Sequence, residues 1–380
     1  LVGHRNYPRY VDLGSVESID AAIGGWREQA AFGAASSTSS RGLVRRSPAT
    51  GEQLEQYLVA ASELRRLVRD PLDEELGACE RLFLSPAGGL NLVAFPALAT
   101  DTGEFLLESG PVVHRLPSER TLCGDAVGPA SPAALVVGDP DFGNRGGESA
   151  ESDSDCPSLE DLWFTPLPGA GAEAAAMVEL WRTSQLPTPV HLAGEDATEE
   201  RFKALAPGNA MIHVATHGFV LPPPCSEETG TGIRDNPLLR SGLAFSGANA
   251  RLREPAGEDD GVLTSEEIAA LDLADTHWAV LSACDSGVGD IRARGEGAFS
   301  LARSFQIAGA RSVIMSLWAV DDEATREWMA ELYDARVADG METGVAVQEA
   351  SSRILARRRA AGESVHPHYW AAFAASGDWR

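Results

Sequence analysis

Short apolar runs, each closed by small or polar residues, recur along the second half of the chain: "AALVVGDP" from Ala133, "PVHLAG" from Pro189, "MIHVATHG" from Met211, "HWAVLSAC" from His277 and "SVIMSLWAV" from Ser312. They are too short for buried helices and rich in β-branched residues, which predicts strands buried on both faces. Between them the apolar positions follow a helical period: Ala174, Met177, Val178 and Trp181, then a helix around Phe202 and Leu205, then Ala298, Leu301, Ala302, Phe305 and Ala308. Two further helices and the run "YWAAFAASG" complete the chain. Strands alternating with helices predict an α/β fold, a mostly parallel sheet with helices on both faces.

The first part reads differently. "GEQLEQYLVAASELRRLV" places Leu54, Leu58, Ala61 and Leu64 on one helical face, and "RLFLSPAGGLNLVAFPAL" reads as two strand-like runs around Pro86, Gly88 and Gly89, a hairpin signal. The Pro/Gly/Ser-rich connection "TLCGDAVGPASPA" marks a boundary near residue 130, giving an N-terminal α/β companion over residues 1–130 and a second domain over 131–380. Two acidic, Gly/Pro-rich stretches, residues 144–162 and 221–262, have the composition of disorder and are predicted as long surface loops.

Composition narrows the function. The 31 basic residues against 56 acidic ones give a net charge of -25, which repels phosphate backbones and anionic lipid, so neither nucleic acid nor a membrane is expected as a partner. The chain has no apolar run long enough to span a bilayer, and its start, "LVGHRNYPRY", has neither a signal-peptide core nor an initiator Met, as expected of a piece of a longer chain. Its five cysteines, Cys79, Cys123, Cys156, Cys225 and Cys284, are odd in number and widely spaced, with no C-x-x-C pair. Neither a disulfide framework nor a zinc site is indicated; a reducing, cytoplasmic setting fits, and it leaves a thiol free to react.

Two of the predicted strands end in reactive side chains, His217 in "HVATHGFV" and Cys284 in "VLSACDSG". Parallel strands have their C-terminal ends along one edge, so these side chains meet in space. An imidazole beside a thiol lowers the thiol's pKa and delivers a proton to a leaving group, which defines a thiolate nucleophile and a general acid. The backbone N–H groups of Gly218 and Cys284 are candidates to stabilise an oxyanion. His213 and His217 also form H-x-x-x-H, but the Glu of the zinc-protease motif is missing and the β-rich "VAT" argues against a helix; no metal is expected, and His213 reads as a core residue or a support for the site. "RGEGAFS" lacks the Lys-Ser/Thr of a phosphate loop and G-x-S-x-G does not occur, which disfavours nucleotide chemistry and serine hydrolysis; no cofactor is implied.

At these residues the sequence resembles a known family. "HVATHGFV", "VLSACDSGVG", "GEGAFSLARSFQIAGARSVIMSLWAVDDEAT" and "HPHYWAAFAASGD", with "YVDLG" and "RLFLSPAGGLNLVAFPAL" nearer the start, are similar to the CHAT domain, the caspase-like cysteine protease domain often attached to tetratricopeptide repeats in bacteria. The resemblance implies a caspase-like fold with a non-catalytic N-terminal companion, a dyad of His217 and Cys284, and a protein substrate. It implies regulation by an N-terminal repeat region or an activating protein. It also implies that Ser316, Leu317 and Trp318 pair with an extended substrate by strand addition, against a plain packing role for Trp318. "SLWAVDDEAT" is similar to the separase segment in which an acid after the tryptophan selects arginine, here Asp322; a helix N-cap is the competing role at that position. A caspase-like scaffold with a vestigial dyad, acting by binding partners, is the alternative from a different class, and a nucleotide-dependent signalling module stands third.

Overall fold

The computed structural model of the 380-residue chain describes residues 8–31, 50–123, 133–143, 159–221, 236–250, 259–283, 300–318 and 322–380. The elements run in order α1 (Val16–Ala30), α2 (Gly51–Val68), α3 (Asp73–Leu76), β1 (Arg81–Leu84), α4 (Leu106–Ser109), β2 (Val112–Arg115), β3 (Ala134–Pro140), α5 (Pro168–Thr183), β4 (Val190–Gly194) and α6 (Glu199–Leu205). They continue with β5 (Met211–Ala215), β6 (Gly218–Val220), β7 (Ser241–Ala244), β8 (Val262–Thr264), α7 (Ser265–Ala269), β9 (Trp278–Ser282), α8 (residues 300–307), β10 (Ser312–Ser316), α9 (Asp322–Tyr333), α10 (Thr343–Ala360) and β11 (Phe373–Gly377).

Among the described residues one eight-stranded sheet runs β1-β2-β11-β10-β9-β5-β3-β4. Every pairing in it is parallel except β10 with β11. The apolar runs of the sequence form its centre because both faces of each strand are covered. Along β3, Ala134 and Val136 face one core with α1, α2, α5, α9 and α10, while Leu135 and Val137 face a second core with α6, α7 and α8. Trp278 and Val280 of β9 alternate with Ala279 and Leu281 in the same way. This period-2 alternation between two buried faces is the signature of a parallel sheet packed on both sides. The result is the α/β architecture expected from the sequence, a mostly parallel sheet with helices on both faces.

In the N-terminal third, α2 starts at a capping box, Thr50 accepting from the Gln53 N–H while the Gln53 side chain accepts from the Thr50 N–H. Its buried stripe is Tyr57, Ala61, Leu64 and Val68, with Leu54 and Leu58 at the rim of the core. The hairpin expected in "RLFLSPAGGLNLVAFPAL" does not form. Only Arg81–Leu84 becomes a strand, and it pairs in parallel with β2, about thirty residues on. The second run folds into 3-10 turns at Gly88–Leu92 and Phe95–Ala97. Gly88 turns the chain with φ +56, and Pro96 has no N–H to give a ladder. Through β2 and β11 this region extends the same sheet.

A second correction concerns the predicted loop at 221–262. Residues 236–250 are ordered around β7, which joins β6 and β8 in a small antiparallel sheet. Leu243 and Leu263 of that sheet face the second core, while Ala244, Val262 and Phe219 pack with Phe142 and Phe164 in a third. This sheet follows directly from β5, at the edge where β3, β5 and β9 end.

Candidate active site

Register brings the strand ends together. Gly138, Ala215 and Ser282 lie side by side on β3, β5 and β9, and Leu281 of β9 pairs with Met315 of β10. His217 therefore stands two residues beyond the edge on one strand, and Ala283 one residue beyond it on the next. Cys284 itself lies outside the described residues. Its immediate neighbour Ala283 is held from both sides. A Cβ built on Gly218 would stand 3.3 Å from the Ala283 Cβ, tighter than ordinary contact, so a larger residue would require Ala283 to give by a few tenths of an ångström. From the other side the Ser316 hydroxyl donates to the Ala283 carbonyl at 3.2 Å. Three segments distant in sequence, the starts of His217-Gly218, Ala283-Cys284 and Ser316-Leu317-Trp318, converge at this point.

The His217 ring is oriented by a main-chain group. Its Nε2 is 2.8 Å from the carbonyl oxygen of Thr165, and since a carbonyl only accepts, Nε2 carries the proton and donates. The basic lone pair is thereby placed on Nδ1. Phe142 and Phe164 flank the ring with centroids 5.3 and 5.7 Å away. Burial pushes the imidazole pKa below its ordinary value, and the bond to Thr165 offsets this in part.

His213 lies beneath, on the face of β5 that meets α5 and α9. It is completely buried, with Nδ1 2.9 Å from the Tyr333 hydroxyl and Nε2 3.0 Å from Oε1 of Glu173. The Ser282 hydroxyl donates to the other oxygen of Glu173 at 2.9 Å. Burial and the Glu173 charge hold the Tyr333 phenol pKa well above its usual value, so its O–H remains a donor. This chain of polar groups ties α9, β5, α5 and β9 together two residues before Cys284. It is a support beneath the edge, and it is separate from His217.

The remaining candidates fall in two groups. Leu317 and Trp318 are buried, and the Trp318 indole meets Trp26 of α1 edge to face at 5.8 Å. Their side chains belong to the core, and the Leu317 N–H donates to the Ala372 carbonyl at 2.7 Å. Asp322 is the first residue of α9, the place where a helix cap or first-turn acid is wanted, and its side chain lies outside the described residues. Among the described residues no group of three or more His, Cys, Asp or Glu side chains is arranged to hold a metal ion. No described helix is long and apolar enough to cross a membrane.

Sequence reading pointed to His217 and Gly218 and gave no sign of Thr165, which bonds His217, or of Glu173 and Tyr333, which bond His213. Thr165 acts through its carbonyl, which every residue has, so no side-chain pattern marks it. Glu173 precedes the apolar stripe of α5 and looks like an ordinary helix acid until His213 is placed on the same face.

The family model of the CHAT domain matches residues 50–378, and the chain belongs to that family. Its sequence is 25% identical over 321 residues to tetratricopeptide repeat protein 28 of Mus musculus, covering 80% of this chain and 12% of that protein. The Homo sapiens protein of the same name is 24% identical over 331 residues, covering 78% and 12%. The chain thus spans about an eighth of the length of these relatives. Among solved structures it is similar to the Arg-specific cysteine proteinase gingipain R, with TM-score 0.46, 10% identity and coverage of 96% of this chain and 74% of that one. It is also similar to the Saccharomyces cerevisiae separase-securin complex, with TM-score 0.45, 11% identity and coverage of 97% and 22%.

Proposed function

We propose that this chain is a cysteine endopeptidase that cleaves protein substrates through a thioester on Cys284. Residues 131–380 carry the chemistry and residues 1–130 form its non-catalytic companion. The observation that carries the reading is the placement of His217: its Nε2–H is committed to the Thr165 carbonyl, and Gly218 is packed against the residue before Cys284. Nδ1 of His217 takes the thiol proton, and the thiolate adds to the scissile carbonyl. The oxyanion accepts from the N–H groups of Gly218 and Cys284. The imidazolium then protonates the departing amine, leaving the thioester; water, deprotonated by the same Nδ1, hydrolyses it and restores the thiol.

Substrate is held beside β10. The Leu317 N–H donates to the Ala372 carbonyl at 2.7 Å, so the period-2 alternation of an extended chain turns the main chain of Ser316 and Trp318 to the side of the β9 tip. Asp322, beyond them, selects a basic residue before the scissile bond. The tetratricopeptide repeats named in the relatives support a partner region that controls the activity of this chain. The reading is tested with a peptide carrying a thiol-directed electrophile in place of the scissile bond. Stoichiometric modification mapped to Cys284, and its loss in His217→Ala, is the expected result; modification spread over all five cysteines of the folded chain contradicts it.

A further inference from the structure

The Thr165 carbonyl that orients His217 sits in an extended stretch, residues 162–167, that belongs to neither sheet and to no helix. A main-chain acceptor in such a stretch has a fixed direction only if something else holds the chain. That holder is Asn249, in the turn that follows β7. It is buried, 3% exposed, and its amide treats Phe164 as a neighbouring strand would: Oδ1 accepts the Phe164 N–H at 3.0 Å and Nδ2 donates to the Phe164 carbonyl at 2.8 Å. The second hydrogen of Nδ2 is given to the Gly143 carbonyl at 3.0 Å, and the Asn249 N–H is given to the Phe142 carbonyl at 2.9 Å. The side chain therefore fixes Phe164, which flanks the His217 ring and precedes the Thr165 carbonyl that the ring donates to, while the Asn249 main chain holds Phe142 on the other flank.

We propose that Asn249 is a positioning residue for His217: by clamping Phe164 it sets the Thr165 carbonyl, and through it the tautomer and the orientation of the imidazole. The proposal rests on the reading of His217 as the proton carrier, but its immediate consequence is a property of the imidazole itself. Without the amide, the Phe164 N–H loses its acceptor and the Phe164 and Gly143 carbonyls lose their donor. The Thr165 carbonyl then swings away, and the ring is free to exchange its proton between nitrogens and to rotate from the thiol. The cost falls on the chemical step, since a misplacement of about 1 Å at a reacting group lowers turnover by about 100-fold.

The control for simple loss of stability is Asn209, also buried, whose amide donates to the Leu205 and Ala206 carbonyls at the end of α6, away from the site. Asn249→Ala and Asn209→Ala are compared by nitrogen and carbon NMR of the histidine rings, with His217 assigned by its absence in His217→Ala, and by peptide turnover. The expected result is a single Nε2–H tautomer of His217 in the unmodified chain and in Asn209→Ala, and a mixture of tautomers in Asn249→Ala. Turnover in Asn249→Ala falls about 10- to 100-fold in kcat with KM little changed, while Asn209→Ala keeps its kcat. Should Asn249→Ala not fold, Asn249→Asp keeps the bond to the Phe164 N–H, loses both donated bonds and is read the same way. An unchanged His217 tautomer in folded Asn249→Ala or Asn249→Asp overturns the proposal, as does an equal change in Asn209→Ala. A chain that does not turn over peptide refutes the protease reading alone, because the ring spectra still decide the role of Asn249.

Discussion

The indoles of Trp26 and Trp318 meet edge to face, with ring centroids 5.8 Å apart and planes at 79°. Trp26 is on α1, ahead of the residues matched by the family model, and Trp318 closes the segment that leaves β10 toward the cleft. The Trp26 Nε1–H donates to the Tyr57 hydroxyl at 2.9 Å, which in turn donates to the Ala97 carbonyl at 2.8 Å. A helix at the start of the chain is thus joined through two rings to the main chain beside the proposed site. Trp26→Ala empties a fully buried site and is expected to lower stability by about 3–5 kcal/mol. Trp26→Phe, which keeps most of the apolar contact and loses the N–H, is expected to fold and to raise KM for an extended peptide more than it lowers kcat. Urea unfolding and steady-state kinetics check the pair; wild-type KM in Trp26→Phe contradicts the link from α1 to the substrate segment.

The buried polar chain makes a prediction about His213. His213→Ala removes the partner of Tyr333 and of one Glu173 oxygen, leaving the Ser282 hydroxyl on the other, at a cost of about 3–5 kcal/mol. The effect is on stability. Where the variant is still folded, at low temperature, the tautomer of His217 stays as it was, whereas folded His217→Ala loses labelling of Cys284. Equal loss of labelling in both folded variants contradicts the separation of the two histidines.

Two further histidines set the response to acid. Burial lowers the pKa of His114 to about 4 and that of His366 to about 3, from an ordinary value of about 6.5. Because these values are depressed in the folded state, the unfolded chain takes up protons first as pH falls below about 6.5, and stability is lost from there down to about pH 4 for His114 and about pH 3 for His366. At pH 5 each histidine lowers stability by about 2 kcal/mol relative to pH 7 or above. Unfolding in urea at pH 7.5 and pH 5 measures it, and His114→Gln with His366→Gln is expected to flatten the slope. A chain equally stable at both pH values contradicts the burial of these rings.

The centre of this fold was legible because its strands are buried on both faces, so "ALVV", "MIHV", "WAVL" and "SVIM" stand out as apolar runs in the sequence. The edges were not. β1 pairs with a strand about thirty residues away, a choice made by tertiary packing that a hairpin-like sequence conceals. β7 sits inside a stretch whose acidic and Gly/Pro-rich flanks hide four residues of strand. The parallel-strand argument expected the residues after β5 and those after β9 to meet, and Gly218 does lie against Ala283, while Trp318 belongs by its side chain to the core. The groups that orient the imidazole escaped because one is a carbonyl and the other, Asn249, looks in sequence like any turn asparagine.

Specificity gives a test of Asp322. One peptide scaffold is offered with Arg, Leu, Met or Asp before the scissile bond, to the unmodified chain and to Asp322→Ala. Arg is expected to be cut best, and the substitution is expected to remove that preference, because a carboxylate pairs with a guanidinium through charge-assisted hydrogen bonds. If Leu or Met is cut best and Asp322→Ala leaves the ranking unchanged, the acid serves only the N-terminus of α9.

Gly218 joins structure to turnover. The Cβ added by Gly218→Ala would stand 3.3 Å from the Ala283 Cβ, next to the proposed nucleophile Cys284. Turnover is expected to fall by at least about 10-fold, with a stability loss of about 1–3 kcal/mol. Full activity in Gly218→Ala contradicts the close packing of the histidine segment on the β9 tip.

The central claim is an acyl-enzyme on Cys284 formed with the help of His217. It is tested most directly by quenching the protein in acid during turnover of a slowly hydrolysed peptide ester and reading the intact mass. The account predicts a single added acyl group, mapped to Cys284, that is absent from Cys284→Ala and from His217→Ala. Undiminished turnover of the same substrate by folded Cys284→Ala, or an acyl group mapped to another residue, contradicts it.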